Sequence, residues 1–93
     1  QTGNLLSGPI EAQTRRCLEQ IKEILAAAGG TLRDLVKVTI YLVDMRDFEA
    51  VNKTYAEFFD LEPPARACVE VKALPKGSRI EIEAIAYLGR FSG

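Results

Sequence analysis

The sequence predicts a two-layer α+β domain in which two helices cover one face of a small sheet. Two stretches keep apolar residues at helical spacing, and three others alternate apolar and polar residues with period two. They follow one another in the order helix, strand, helix, strand, strand, with no linker, repeat or low-complexity tract between them. Residues 1–93 are accordingly read as one domain.

The first helix opens after Leu5 and Leu6 at Ser7-Gly8-Pro9, where a proline suits the first helical position. Ile10, Cys17, Leu18, Ile21, Ile24, Leu25 and Ala28 then recur on one face, and Gly29-Gly30 stops the helix with residues that tolerate a left-handed backbone. Leu35 to Val43 reads as a strand, because Val36, Val38, Ile40 and Leu42 oppose Lys37, Thr39 and Tyr41 and β-branched residues dominate. Asp44 and Asp47 are candidate caps for the second helix, whose apolar face carries Phe48, Val51, Asn52, Tyr55, Phe58 and Phe59. Pro63-Pro64 ends it, since the residue before a proline is driven out of the helical region. Pro64 to Val71 and Ile80 to Tyr87 form the last two strands, joined through the turn-rich Leu74-Pro75-Lys76-Gly77-Ser78.

Composition excludes several chemistries. A chain of 93 residues buries about 60–65 % of the surface its unfolded form exposes, so the core is thin and help from other subunits is expected. Twelve Lys and Arg against 13 Asp and Glu leave a net charge of −1 without a basic block, which argues against nucleic acid as a partner. No apolar run is long enough to span a bilayer, and Gln1-Thr2-Gly3-Asn4 lacks the basic start of a signal peptide; a soluble, cytoplasmic chain with no membrane contact is expected. Cys17 and Cys68 are too few for a disulfide framework and are not spaced as metal ligands, so both are read as free thiols. Without histidine, Ser-His-Asp and Cys-His arrangements and histidine-ligated metals cannot be built, and Gly29-Gly30 lacks the rest of a phosphate loop. No metal is expected.

The alternation of the last two strands carries the chemistry. Arg66, Cys68 and Glu70 share one parity, as do Glu81 and Glu83, while the intervening residues are apolar. The polar parity is expected on the uncovered sheet face with Lys37, Thr39, Tyr41, Ile85 and Tyr87, a mixture suited in part to contact with another subunit. Arg66 is the strongest candidate for binding, because its rigid fork of donors matches a carboxylate. An ion pair with Glu70, Glu81 or Glu83 explains it equally well. Cys68 has no neighbouring base to activate it, so a small packing residue is its default role.

Pro64-Ala65-Arg66-Ala67-Cys68-Val69-Glu70-Val71, Leu74-Pro75-Lys76 and Ile80-Glu81-Ile82-Glu83-Ala84-Ile85-Ala86 resemble the RidA (YjgF) family of enamine/imine deaminases. The likeness continues in Val36 to Leu42, Phe48, Val51 to Tyr55, Gln13-Thr14-Arg15 and Ala27-Ala28-Gly29. It implies a chorismate-mutase-like fold, a homotrimer with clefts between subunits, and cofactor-free hydrolysis of 2-aminoacrylate and related acids to 2-oxo acids and ammonia. By the same resemblance Arg66 clamps the substrate carboxylate, the main chain of Cys68 helps hold substrate or water, and Glu81 orients the attacking water. Glu83 is assigned a structural role. Family members also carry an N-terminal two-stranded hairpin with a substrate-stacking tyrosine; Gln1 to Asn4 resembles the turn after it, so the chain is read as lacking that hairpin, either as a truncated or cleaved product or as a natural short form, and a true absence implies an exposed sheet edge and one cleft wall missing. Two other roles fit the resemblance: a non-catalytic module binding small carboxylates, and a translation-inhibiting ribonuclease or chaperone-like protein.

Overall fold

A computed structural model describes residues 8–59 and 63–88. It contains helix α1 (Ile10–Ala27), strand β1 (Leu35–Leu42), helix α2 (Phe48–Ala56), strand β2 (Ala65–Glu70) and strand β3 (Ile80–Ala86), with 3-10 turns at Leu32–Asp34, Met45–Asp47 and Pro75–Gly77. Both helices pack on one face of a mixed three-stranded sheet of order β2-β1-β3, in which β1 runs parallel to β2 and antiparallel to β3. The two-layer α+β expectation therefore holds.

Pro9 occupies the N-cap position of α1; Ser7, also assigned to that signal, lies outside the described residues, as do Leu5 and Leu6. Two residues after its last helical residue comes Gly29, whose φ of +84° is the left-handed conformation expected at the stop. Gly30 is closely packed as well: a Cβ at this buried position would lie 2.7 Å from Leu88 Cδ2 and 2.9 Å from Asp34 Oδ2, so those side chains would have to shift to admit one. The buried stripe of α1 differs in part from the sequence reading. Ile10, Leu18 and Leu25 are buried, but Ile24 is 70 % exposed, and Gln13 and Thr14 are buried in its place. Both polar groups are satisfied locally: Thr14 Oγ1 donates to the Ile10 carbonyl at 2.8 Å, and Gln13 Nε2 to the Gly8 carbonyl at 3.1 Å.

β1 supplies the centre of the core through Leu35, Val38, Ile40 and Leu42. Val36, expected on the buried parity, is exposed because an irregularity between Leu35 and Lys37 in the pairing with β3 shifts the phase by one residue. Asp44 caps the short turn before α2 by accepting from the Arg46 amide at 2.9 Å. Asp47 makes no capping bond; instead it accepts two hydrogen bonds from Arg79, at 2.9 and 3.1 Å, tying the start of α2 to the entrance of β3. α2 ends at Ala56, well before Pro63-Pro64.

The Arg46 side chain and amide together hold the Asp44 carboxyl down from its ordinary 3.8 to about 2. A depressed carboxyl pKa stabilises the fold above the unfolded-state value, and that contribution disappears as pH falls from about 4 towards 2. Asp44→Asn, which still caps, is expected to lose less melting temperature than the parent between pH 5 and pH 2.5. An identical acid shift in the two proteins would remove Asp44 as a cause.

Candidate functional site

The register of the sheet separates the candidate residues. Arg66 lies opposite Val38 and Cys68 opposite Ile40, so both point to the helix-covered face; Glu81 and Glu83 lie opposite Tyr41 and Thr39 on the open face. The expectation that Arg66, Cys68 and Glu70 share a face with Glu81 and Glu83 is thereby corrected. Residues paired laterally point the same way, and parity within a strand cannot fix its phase relative to a neighbour. Arg66 and Glu81 also lie three register steps apart on strands flanking β1 on opposite sides, which separates their backbones by roughly 14 Å.

Arg66 is built into a setting formed by α2. Phe48, Asn52 and Tyr55 are spaced four and three residues apart and so form one helical stripe. The guanidinium carbon of Arg66 lies 4.8 Å from the centroid of the Tyr55 ring and 5.9 Å from that of Phe48, and Nη1 donates to Asn52 Oδ1. Tyr55 is itself held against Phe59, with ring centroids 4.6 Å apart. Asn52, Tyr55, Ala56, Phe59, Pro63, Pro64 and Arg66 line a cavity of about 390 Å³. Among the described residues its walls are largely apolar and the one ionic group is cationic.

No carboxylate pairs with Arg66 among the described residues, so the ion-pair alternative within the chain is not realised there. Glu83 instead accepts a hydrogen bond from the Tyr41 hydroxyl at 2.9 Å. A guanidinium has five N–H donors, and Asn52 takes one. Among the described residues the site offers a cation without a carboxylate partner, backed by aromatic faces, to a small anion.

Cys68 is half-buried and packs against the core. Burial pushes its thiol pKa up, against a smaller opposing pull from Arg66, so the group stays protonated at neutral pH and is no thiolate nucleophile. Glu81 borders a different cavity of about 390 Å³, between α1 and β3, together with Cys17, Gln20, Ser78 and Ile82. Its carboxylate accepts no hydrogen bond among the described residues. Burial, followed by the charge of Glu81, raises the pKa of Cys17. No group of three or more potential ligands is placed to hold a metal among the described residues, and none of their helices is long and apolar enough to cross a membrane.

The supporting roles of Phe48, Asn52 and Tyr55 were missed in the sequence, where they read only as the apolar side of a helix. A polar Asn52 inside an otherwise apolar stripe was the available signal.

Residues 1–88 match the family model described as endoribonuclease L-PSP. The chain belongs to this family, the RidA (YjgF) group. A RutC family protein of Pyrococcus horikoshii is 56 % identical over 87 residues, covering 94 % of this chain and 69 % of that protein. The human 2-iminobutanoate/2-iminopropanoate deaminase is 47 % identical over 88 residues, covering 95 % of this chain and 64 % of the relative. The crystal structure of RidA from an Antarctic Psychrobacter superposes with a TM-score of 0.85 at 43 % identity, over 88 % of this chain and 67 % of that one. The chain thus spans about two thirds of the length of these RidA relatives.

Proposed function

We propose that the chain contributes to an enamine/imine deaminase that hydrolyses 2-imino acids to 2-oxo acids and ammonia without a cofactor. One observation carries the reading: the Arg66 guanidinium stands without a carboxylate partner among the described residues, at a mainly apolar cavity of about 390 Å³. A small acid with an apolar tail complements both features. The deaminase names of the human and rat relatives, at 47 and 46 % identity, supply the reaction class.

In this scheme Arg66 binds the substrate carboxylate and fixes the imine carbon. Water adds to that carbon, a proton passes to nitrogen, and ammonia leaves as the carbonyl forms. Glu81 accepts the proton of the attacking water and returns it to the departing nitrogen. Since Arg66 and Glu81 lie on opposite faces of one sheet, Glu81 must come from a neighbouring copy, in keeping with clefts between the subunits of a homotrimer. The main chain of Cys68 adjoins the carboxylate on this reading, and its protonated thiol takes no covalent part.

The assay is ammonia release from 2-iminobutanoate generated in situ by the native-length protein. Glu81→Gln is expected to lower kcat by roughly a hundredfold, the typical worth of a positioned general base. Glu83→Gln should stay within a few-fold of the parent. Equal losses in the two variants would remove the assignment of Glu81.

A second reading is favoured by one feature: the carboxylate site is formed within a single chain, whereas Glu81 is remote from it. A module that binds a 2-oxo acid without turnover needs only the first. Binding of 2-oxobutanoate with no ammonia release would establish that reading. Ribonuclease action finds little support in a net charge of −1, and RNA binding insensitive to added salt would dispose of its electrostatic form.

A further inference from the structure

Arg66 projects from an edge strand, where a long side chain ordinarily samples many rotamers. Here three contacts from a single helix restrict it: two aromatic faces at 4.8 and 5.9 Å and the Asn52 side-chain oxygen. Tyr55 is only 4 % exposed, so its ring is fixed by the core, and Phe59 packs against it with ring centroids 4.6 Å apart. The Tyr55 hydroxyl is buried with no hydrogen-bond partner among the described residues, so what Tyr55 offers Arg66 is its ring. The ring contacts use none of the N–H donors as hydrogen-bond donors, and Asn52 accepts from Nη1, one of the five. What remains is an oriented edge.

We infer that Tyr55 and Asn52 are positioning residues for Arg66, fixing which edge of its guanidinium meets a ligand carboxylate. The inference rests on the carboxylate-clamp reading above and adds to it that the binding competence of β2 is set by α2. A preorganised fork loses less entropy on binding than a free one, and the gain is specific to planar, bidentate recognition.

The experiment is a calorimetric titration of the native-length protein with 2-oxobutanoate, with 2-butanone as the uncharged control. Asn52→Leu is expected to weaken 2-oxobutanoate binding by roughly five- to tenfold, and Tyr55→Leu by a similar factor. Tyr55→Phe, which keeps the ring, should restore most of what Tyr55→Leu loses. Tyr55 is a core residue, so circular dichroism accompanies each variant, and half-buried Asn52 carries the test if Tyr55→Leu does not fold. In an Arg66→Lys background, where a point charge replaces the fork, Asn52→Leu should have no further effect. A purely structural role would weaken both backgrounds alike and would overturn the inference. So would wild-type affinity in Asn52→Leu when binding still requires Arg66. If the parent binds no 2-oxobutanoate, or Arg66→Ala binds it equally well, the clamp reading itself fails and the inference with it.

Discussion

Arg66→Ala in the native-length protein is expected to lower kcat/KM for 2-iminobutanoate by a hundredfold or more. Each hydrogen bond between a guanidinium and a carboxylate contributes about 1.5–3 kcal/mol, and a bidentate contact makes two. Even the lower end, roughly 3 kcal/mol in total, corresponds to more than a hundredfold. Part of the loss should appear in KM and part in kcat, because the clamp both binds the acid and aligns the imine carbon with water. Arg66→Lys should recover only a fraction, since an ammonium can neither present a planar fork nor stack flat on Tyr55. The side chain is exposed and makes no ion pair with a described residue, so its removal should lower the melting temperature only by several degrees, through the lost ring contacts and the bond to Asn52. Ammonia release at the parental rate from Arg66→Ala would show that the acid is held elsewhere.

The order of elements was legible because each depends on local signals. Helical spacing over residues 10–27, the left-handed Gly29 and the strict alternation of β3 all depend on near neighbours in the chain. The phase between strands was not legible. β2 and β3 have the same alternation, yet pairing on either side of β1 sends Arg66 to the helices and Glu81 to the open face. Register is a tertiary property, fixed by which residues of each strand reach the core. Gln13 and Thr14 show the same limit. A polar residue reads as surface until the structure reveals a backbone carbonyl within reach of its side chain.

The candidate site was legible as far as residue type. Arg66 stood out because a rigid cationic fork between apolar neighbours needs either a partner or a ligand. Its surroundings did not stand out, because the two rings at the guanidinium, Phe48 and Tyr55, and its acceptor Asn52 are distant in sequence from position 66. Asp47 was misread for a related reason: a carboxylate before a helix reads as a cap until a cation such as Arg79, 32 residues away, proves the better partner.

Leu18→Ala is expected to have the largest effect on stability. Leu18 is fully buried, in the layer where α1 meets α2 and β3. Truncating a buried leucine costs about 2–5 kcal/mol through lost transfer energy and the cavity left behind. A domain of this length is stable by only about 5–14 kcal/mol, so the change removes a large share. At roughly 4–8 °C per kcal/mol, a loss of about 3 kcal/mol lowers the melting temperature by some 12–24 °C. Ile85, 56 % exposed on the open sheet face, provides the contrast: within one chain Ile85→Ala should cost no more than about 0.5 kcal/mol. If the open face packs against other copies, as the proposed trimer requires, Ile85→Asp should instead shift the sedimentation coefficient to that of a smaller species while circular dichroism is unchanged. Loss of ammonia release in step with that dissociation would follow from a Glu81 supplied by the neighbouring copy. A dissociated Ile85→Asp that retained full activity would place both halves of the catalytic pair in one chain, contrary to the register of β2 and β3.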